Sequence, residues 1–232
     1  MKTAIMQPYL FPYIGYWQLI NAVDQFLLYD DVNYIKGGWI NRNNILLNSR
    51  KHMITLPLNG VSSFLPINQV KRVGNKKSQV KLFKTIEQAY NKAPHFDDII
   101  QIIQETVFHP SDKIVDAIYY SIRRITEYLG INTKFILSST LEKNDDLKAQ
   151  DKVIHICKLL NTTNYINAIG GLELYDKKSF AQEGIELHFL KSKEITYKQF
   201  GGEFVPWLSI IDILMFNDAD TAKNFIKDFT LI

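Results

Sequence analysis

The prolines at positions 8 and 12 constrain this chain more than any other feature. Proline fixes φ and lacks a backbone donor, so neither a helix nor a central strand can run through Gln7-Pro8-Tyr9-Leu10-Phe11-Pro12. The preceding Thr3-Ala4-Ile5-Met6-Gln7 is a short apolar run of the kind that forms a buried strand. After the prolines, the apolar spacing from Tyr13 to Val23 is helical, with Gly15 near its start. Gln25 to Tyr29 is again a short apolar run, ended by Asp30-Asp31. The opening of the chain therefore reads strand, loop, helix, strand: a βαβ unit with a parallel pair.

The same alternation continues. Residues 32–50 are polar and aromatic without clean periodicity, and Met53 to Leu58 predicts a strand. Three helical patterns cover 76–92, 96–108 and 111–129, broken near Pro94 and Pro110, with Ser111-Asp112 as the cap of the third. Beyond them the expectations are a strand at Phe135–Leu137, a helix at Asp145–Leu160 and a strand at Tyr165–Ala168 ending at Gly170-Gly171. A helix at Asp176–Gln182, a strand at Ile185–Phe189 and two helices split near Asp218 complete the chain. Strands alternating with helices predict an α/β protein, a three-layer fold around a mainly parallel sheet. No linker rich in Gly, Pro or Ser divides residues 1–232, so they read as one domain, with the consecutive helices at 76–129 as an insertion or lid. A chain of 232 residues buries a full core without disulfides or metals.

Composition narrows the function classes. The single cysteine, Cys157, excludes a disulfide framework and a Cys-based zinc site. It lies in the apolar run Val153-Ile154-His155-Ile156-Cys157 and reads as a buried, inert thiol. The N-terminus has no apolar core of a signal peptide, and no apolar stretch is long enough to span a bilayer, so a cytoplasmic location is expected. A formal net charge of +3 gives no argument for DNA. Locally, however, Lys71, Arg72, Lys76, Lys77, Lys81 and Lys84 occur without an acid among them. That stretch reads first as a solvated helix face, and second as a surface for phosphate groups or an acidic membrane.

In open parallel sheets, ligands bind beyond the carboxyl ends of the strands. Three such loops carry unusual residues. The first holds Gln7, Pro8, Tyr9, Tyr13, Gly15 and Tyr16 at a helix N-terminus, where exposed amides attract anions and clustered tyrosines suit ring stacking. Equally, its prolines can shape a tight crossover over packed tyrosines. The second follows Tyr29 with Asp30 and Asp31 and extends through Tyr34, Lys36, Trp39, Asn41, Arg42 and Asn43. Paired carboxylates can act as a general base, bind a metal or hold an amine, or simply cap a turn. Arg42 offers bidentate bonds for phosphate or carboxylate. The third is Ala168-Ile169-Gly170-Gly171 with Tyr175, where glycines permit close backbone approach or merely turn the chain. The five histidines have no metal-binding spacing, and serine-elbow, P-loop and dinucleotide fingerprints are absent. His155 and Cys157, two apart, point to different sides of a helix and make no dyad.

The stretch from Met6 to Asn43 resembles the opening signature of the WbqC-like family. Phe135-Ile136-Leu137-Ser138-Ser139, Gly170-Gly171 with Tyr175, Gly184-Ile185 and Pro206-Trp207-Leu208-Ser209-Ile210-Ile211-Asp212 extend the likeness over essentially the whole chain. The family is associated with bacterial O-antigen and related surface-polysaccharide (lipopolysaccharide) clusters. The resemblance implies a transferase that acylates, as in glycyl or other aminoacyl transfer, the amine of a dTDP- or UDP-linked deoxyamino sugar. Asp30 or Asp31 would then deprotonate the sugar ammonium, while Gln7, Tyr9, Tyr34, Trp39, Asn41 and Arg42 bind base, sugar or pyrophosphate. The acyl donor stays open among an aminoacyl-tRNA, a carrier-protein thioester, a CoA thioester, and ATP with an amino acid. A looser likeness is to nucleotidyltransferase folds, whose HxGH motif is matched in spacing by Tyr13-Ile14-Gly15-Tyr16. Tyrosines cannot supply the histidines' charge, so this likeness speaks for a nucleotide-sized pocket and not for adenylation. A non-catalytic sugar-nucleotide-binding assembly protein and a modified ATP-using ligase are the alternatives.

Overall fold

A computed structural model describes residues 1–232. The chain begins with β1 (Lys2–Met6), α1 (Ile14–Asn21) and β2 (Gln25–Leu28). A hairpin of β3 (Arg42–Leu47) and β4 (Arg50–Thr55) follows, then the short pair β5 (Leu58–Asn59) and β6 (Lys71–Arg72). Three helices come next: α2 (Lys76–Tyr90), α3 (Phe96–Val107) and α4 (Ile114–Tyr128). The chain then runs β7 (Lys134–Leu137), α5 (Ala149–Leu159), β8 (Asn164–Ala168), α6 (Lys177–Gln182) and β9 (Glu186–Ser192). It closes with α7 (Ile210–Phe216), α8 (Ala219–Lys227) and β10 (Phe229–Leu231).

Six strands form the central sheet in the order β10-β9-β8-β1-β2-β7, parallel throughout except for the antiparallel edge β10. This is the mixed α/β architecture, with a mainly parallel sheet, that the alternation predicts. From β1 the chain builds outward through β2 to β7, then crosses back to lay β8 and β9 on the other side of β1. The direction of winding therefore reverses between β1 and β8.

Side chains of a strand alternate between faces, and here both faces are covered. Ala4, Phe26 and Leu28 enter a large core with α1, α7 and α8, whereas Ile5 and Leu27 enter a second core beneath α5 and α6 with Val153, Cys157 and Phe180. Double coverage is why these strands read as continuous apolar runs. Helices α2, α3 and α4 contribute Leu82, Ile86, Ile103, Ile118 and Ile122 to the same large core as α1. Gln25, polar yet buried, is satisfied by donating to Thr3 Oγ1 at 2.8 Å and to the Leu160 carbonyl at 2.9 Å.

Four details depart from the expectations. Residues 42–47 form β3, whose alternation is hidden because Asn43, Ile45 and Leu46 are all buried. The expected strand at 53–58 is displaced toward its N-terminus, as β4. The chain ends in β10, too short at three residues to announce a period. The cap of α4 is Lys113 with no side-chain bond, since Ser111 pairs with Asp116 and Asp112 with Lys71.

Candidate functional site

The loop after β1 is held in a costly conformation. Buried Phe11 has φ of 43°, a region that side chains rarely occupy. Three hydrogen bonds fix it: Asn43 Nδ2 reaches the carbonyls of Leu10 and Phe11 at 3.2 and 2.8 Å, and Ser209 Oγ reaches that of Phe11 at 2.7 Å. Trp17 Nε1 and the amide of Ile210 both donate to the Pro12 carbonyl, at 3.0 and 3.1 Å. The prolines thus shape a crossover anchored from β3 and the start of α7.

This anchored loop walls a cavity of about 450 Å³. Its floor lies where Met6 ends β1 and Ala168 ends β8, at the reversal of winding. Tyr9, Tyr13, Tyr16, Trp39 and Trp207 give it an aromatic lining, and Gly15 opens it to the N-terminus of α1. Tyr13 packs against Trp207 with ring centroids 5.2 Å apart, and Tyr9 against Tyr16 at 5.7 Å. Burial raises the pKa of Tyr9, Tyr13 and Tyr16, assisted at Tyr13 by Glu194, so these phenols stay neutral. Tyr16 spends its proton on the Gln7 carbonyl at 2.9 Å. Lys51 is the one charged residue of the lining, and no carboxylate reaches it.

Gly15 has a second duty. A Cβ there would meet Ser192 Oγ at 2.8 Å, so the residue lets α1 approach the end of β9. Behind the Trp207 wall, buried Asp212 accepts from Tyr90 Oη at 2.7 Å, Tyr197 Oη at 2.6 Å and Gln199 Nε2 at 2.6 Å. Burial nonetheless raises the Asp212 pKa, the three donors opposing that shift only in part.

The carboxylate pair lies over the neighbouring strand ends and outside the cavity lining. Asp30 is buried and accepts from the Ser139 amide at 2.9 Å and Ser139 Oγ at 2.6 Å, at the end of β7. Asp31 Oδ2 pairs with Lys143, which also donates to the Ser138 carbonyl at 2.6 Å. Asp31 Oδ1 is buried with no partner, as is Ser138 Oγ. Burial and the Asp31 charge push the Tyr29 phenol up to about 12.

The other expected site residues divide between cavity and framework. Pro8 is buried in the crossover. Tyr34 Oη donates to Asn41 Oδ1 at 2.7 Å, and Asn41 Nδ2 to the Leu56 carbonyl at 2.9 Å, a clip between the second loop and the end of β4. Arg42 turns back on the carbonyls of Gly37 and Gly38 and lies over Trp39, 5.9 Å from the ring centroid. Gly170 and Gly171 turn the chain after β8; a Cβ on Gly171 would come within 2.4 Å of Asn167 Nδ2. Tyr175 packs edge-on against Tyr165 and Phe180, in the second core.

Sequence reasoning did not single out Asn44, Lys51, Lys143, Ser139 or Trp207 as site residues. Trp207 carried a signal only as part of the Pro206-Trp207-Leu208-Ser209 segment of the family resemblance. Lys143 carried none, because its partner is 112 positions away.

The family model of the WbqC-like proteins matches residues 7–224, from the first residue of the anchored loop to well beyond Trp207. The chain belongs to the WbqC-like family. An uncharacterized protein of Mycobacterium tuberculosis, Rv1507c, is 26% identical over 228 residues, spanning 97% of each chain. No solved structure matches the chain. Every residue lining the cavity except Met6 falls inside the WbqC-like span. No helix is long and apolar enough to cross a membrane.

Proposed function

We propose that this WbqC-like chain is a transferase that holds a nucleotide-linked deoxyamino sugar in the cavity between β1 and β8 and acylates its amine. The position of the cavity carries the reading. In doubly wound sheets, nucleotides bind in the crevice where the strand order reverses, and this cavity lies in that crevice with an aromatic lining suited to a base or sugar ring. The paired Tyr13 and Trp207 rings would offer an aromatic face against which the base or sugar ring packs. Lys51 and the first amides of α1 would meet the pyrophosphate, because the Arg42 guanidinium is already committed to Gly37 and Gly38.

In the reaction the sugar nitrogen loses a proton to a base and attacks the acyl carbonyl. The C–N bond forms as the donor's bond to the acyl carbon breaks, and the leaving group takes up the proton. Neither carboxylate lines the cavity, so a base role requires the sugar amine to extend over the end of β2. There Asp31, with one buried oxygen unpartnered, suits it better than Asp30, both of whose oxygens accept from Ser139. The donor would be an activated acyl or aminoacyl group, on a carrier, CoA or tRNA.

A second reading has its own support. With no carboxylate in the lining, the cavity could serve a non-catalytic binding protein that presents sugar nucleotides to an assembly. An ATP-using ligase would exploit the same α1 N-terminus. Thermal-shift titration with dTDP-, UDP- and GDP-sugars, ATP and CoA separates them, because a ligand of the folded state raises its melting temperature. A shift with a dTDP- or UDP-amino sugar, lost in Tyr13→Ala, supports the transferase substrate. Mass spectrometry of the sugar after incubation with acyl donors then distinguishes turnover from storage. A shift with ATP alone favours the ligase, and silence across the panel sinks the nucleotide-sugar reading.

A further inference from the structure

We propose that the cavity-bearing rim of the sheet docks peripherally on an anionic phospholipid bilayer. The inference is independent of what fills the cavity. It rests on two features that coincide along that rim.

The first is charge segregation. Residues 32–86 contain ten Lys and Arg and not one Asp or Glu. The remaining 17 Lys and Arg face 24 acids, a balance of −7, so a chain of modest net charge carries one strongly basic segment. Few of these cations are spent internally: Arg72 is buried against carbonyls, Lys71 pairs with Asp112, and Arg42 caps its own turn. Lys36, Arg50, Lys51, Lys76, Lys77, Lys81 and Lys84 are exposed. Lys51 stands at the cavity. A second groove, lined by His52, Met53, Ser78, Lys81 and Thr85, joins the same hairpin to α2 and its lysines.

The second feature is apolar exposure at the same place. Phe64 is 86% exposed, Trp207 60%, Ile35 52% and Trp39 44%. They are neighbours: Tyr34 N donates to the Leu65 carbonyl at 2.9 Å, and Asn33 bridges to Pro66, which sets the Phe64 loop beside Ile35 and Lys36. The Gly38 amide closes the adjoining turn on the Ile35 carbonyl, and Trp39, next in the chain, shares the cavity lining with Trp207 and Lys51. After β8 the rim adds Leu172 and Leu174, the latter 69% exposed.

Cations and protruding aromatic and aliphatic side chains around one opening match the chemistry of a bilayer surface. Phosphates and acidic headgroups meet the lysines, while Trp and Phe enter the interfacial region. A nucleic acid would use the charges but leave Ile35, Leu172 and Leu174 without a partner. The cavity mouth would then face the membrane, so that a substrate or acceptor held there could be reached without leaving the surface.

The test is co-sedimentation of the full chain with vesicles of phosphatidylglycerol mixed into phosphatidylcholine, against pure phosphatidylcholine. The expected result is binding to the mixed vesicles only, reversed by salt, with a blue shift of tryptophan emission. Phe64→Asp should weaken partitioning by about tenfold or more, from lost apolar insertion. Lys36→Ala should weaken it about fivefold, the effect of one surface cation. Leu159→Asp, at the end of α5 on the opposite edge of the sheet, should bind like the wild type. Unchanged melting temperatures would confirm that the exposed substitutions leave the fold intact. The proposal is overturned if neither vesicle binds, or if Phe64→Asp partitions like the wild type. It is equally overturned if single-stranded RNA binds and vesicles do not.

Discussion

Two adjacent stretches of one sheet edge behave in opposite ways. Over β1 and β8 the chain leaves an open cavity lined by tyrosines and tryptophans. Over β2 and β7 it gathers the residues that look most reactive, Asp30, Asp31, Lys143 and Ser139, and bonds them to one another. Residue type therefore says little about availability. What distinguishes the regions is spare capacity: accessible ring surface in the first, and a single unpartnered carboxylate oxygen in the second. A carboxylate that accepts two bonds across neighbouring strand ends joins loops together before it can do anything else.

Removing Asp30 should break this comparison most decisively if it is wrong. Asp30→Ala deletes two bonds to a buried charge and strands Ser139, so stability should fall by about 3 kcal/mol, read from urea denaturation. Retained stability together with lost turnover would make Asp30 a reacting group. The next effect is at Asp212, whose three donors brace the wall carrying Trp207. Asp212→Asn turns an amide donor toward those donors and should cost about 2 kcal/mol at neutral pH. Burial raises the Asp212 pKa in the folded state, so its contribution is fully present below the unfolded value and declines as pH rises through the folded one. The penalty of Asp212→Asn should accordingly be larger at acidic than at neutral pH. On the cavity side the pattern inverts: Tyr13 is half-buried, with its hydroxyl unbonded and its ring packed on Trp207, so Tyr13→Ala should lower the melting temperature only modestly. It should weaken nucleotide-sugar binding about tenfold by removing half of the aromatic face on which the ring packs.

The same contrast explains what the sequence disclosed. Strands covered on both faces carry short apolar runs without clean alternation, so β1, β2, β7, β8 and β9 were legible, and with them the parallel sheet and the three strand-end loops. The first loop was legible as a site because Pro8 and Pro12 exclude regular structure while Tyr9, Tyr13 and Tyr16 crowd around them. Strand order was not legible: nothing local in β8 says that it lies beside β1 on the side away from β2. For that reason the crevice between them, with Lys51 and Trp207 brought from β4 and the segment before α7, lay beyond sequence reasoning. Asn43 and Arg42 were expected to serve a ligand, and their side-chain bonds in the fold go to Leu10, Phe11, Gly37 and Gly38. A polar side chain's partner is a tertiary fact, and spacing does not encode it.

Gly15 offers the smallest effect and the finest discrimination, because two opposing contributions meet there. In a helix, alanine is favoured over glycine by about 1 kcal/mol. The new Cβ would approach Ser192 Oγ at 2.8 Å, a contact that a hydroxyl can relieve by rotating. The two contributions should nearly cancel, leaving Gly15→Ala within about 0.5 kcal/mol of the wild type. Adding Ser192→Ala removes the clash and keeps the propensity, so the double variant should be the more stable of the two in thermal unfolding. If Gly15→Ala lowers ligand affinity through that packing alone, the affinity recovers in the double variant. If affinity stays low in the stabilised double variant, the methyl group is blocking the ligand itself, and the N-terminus of α1 is part of the binding surface.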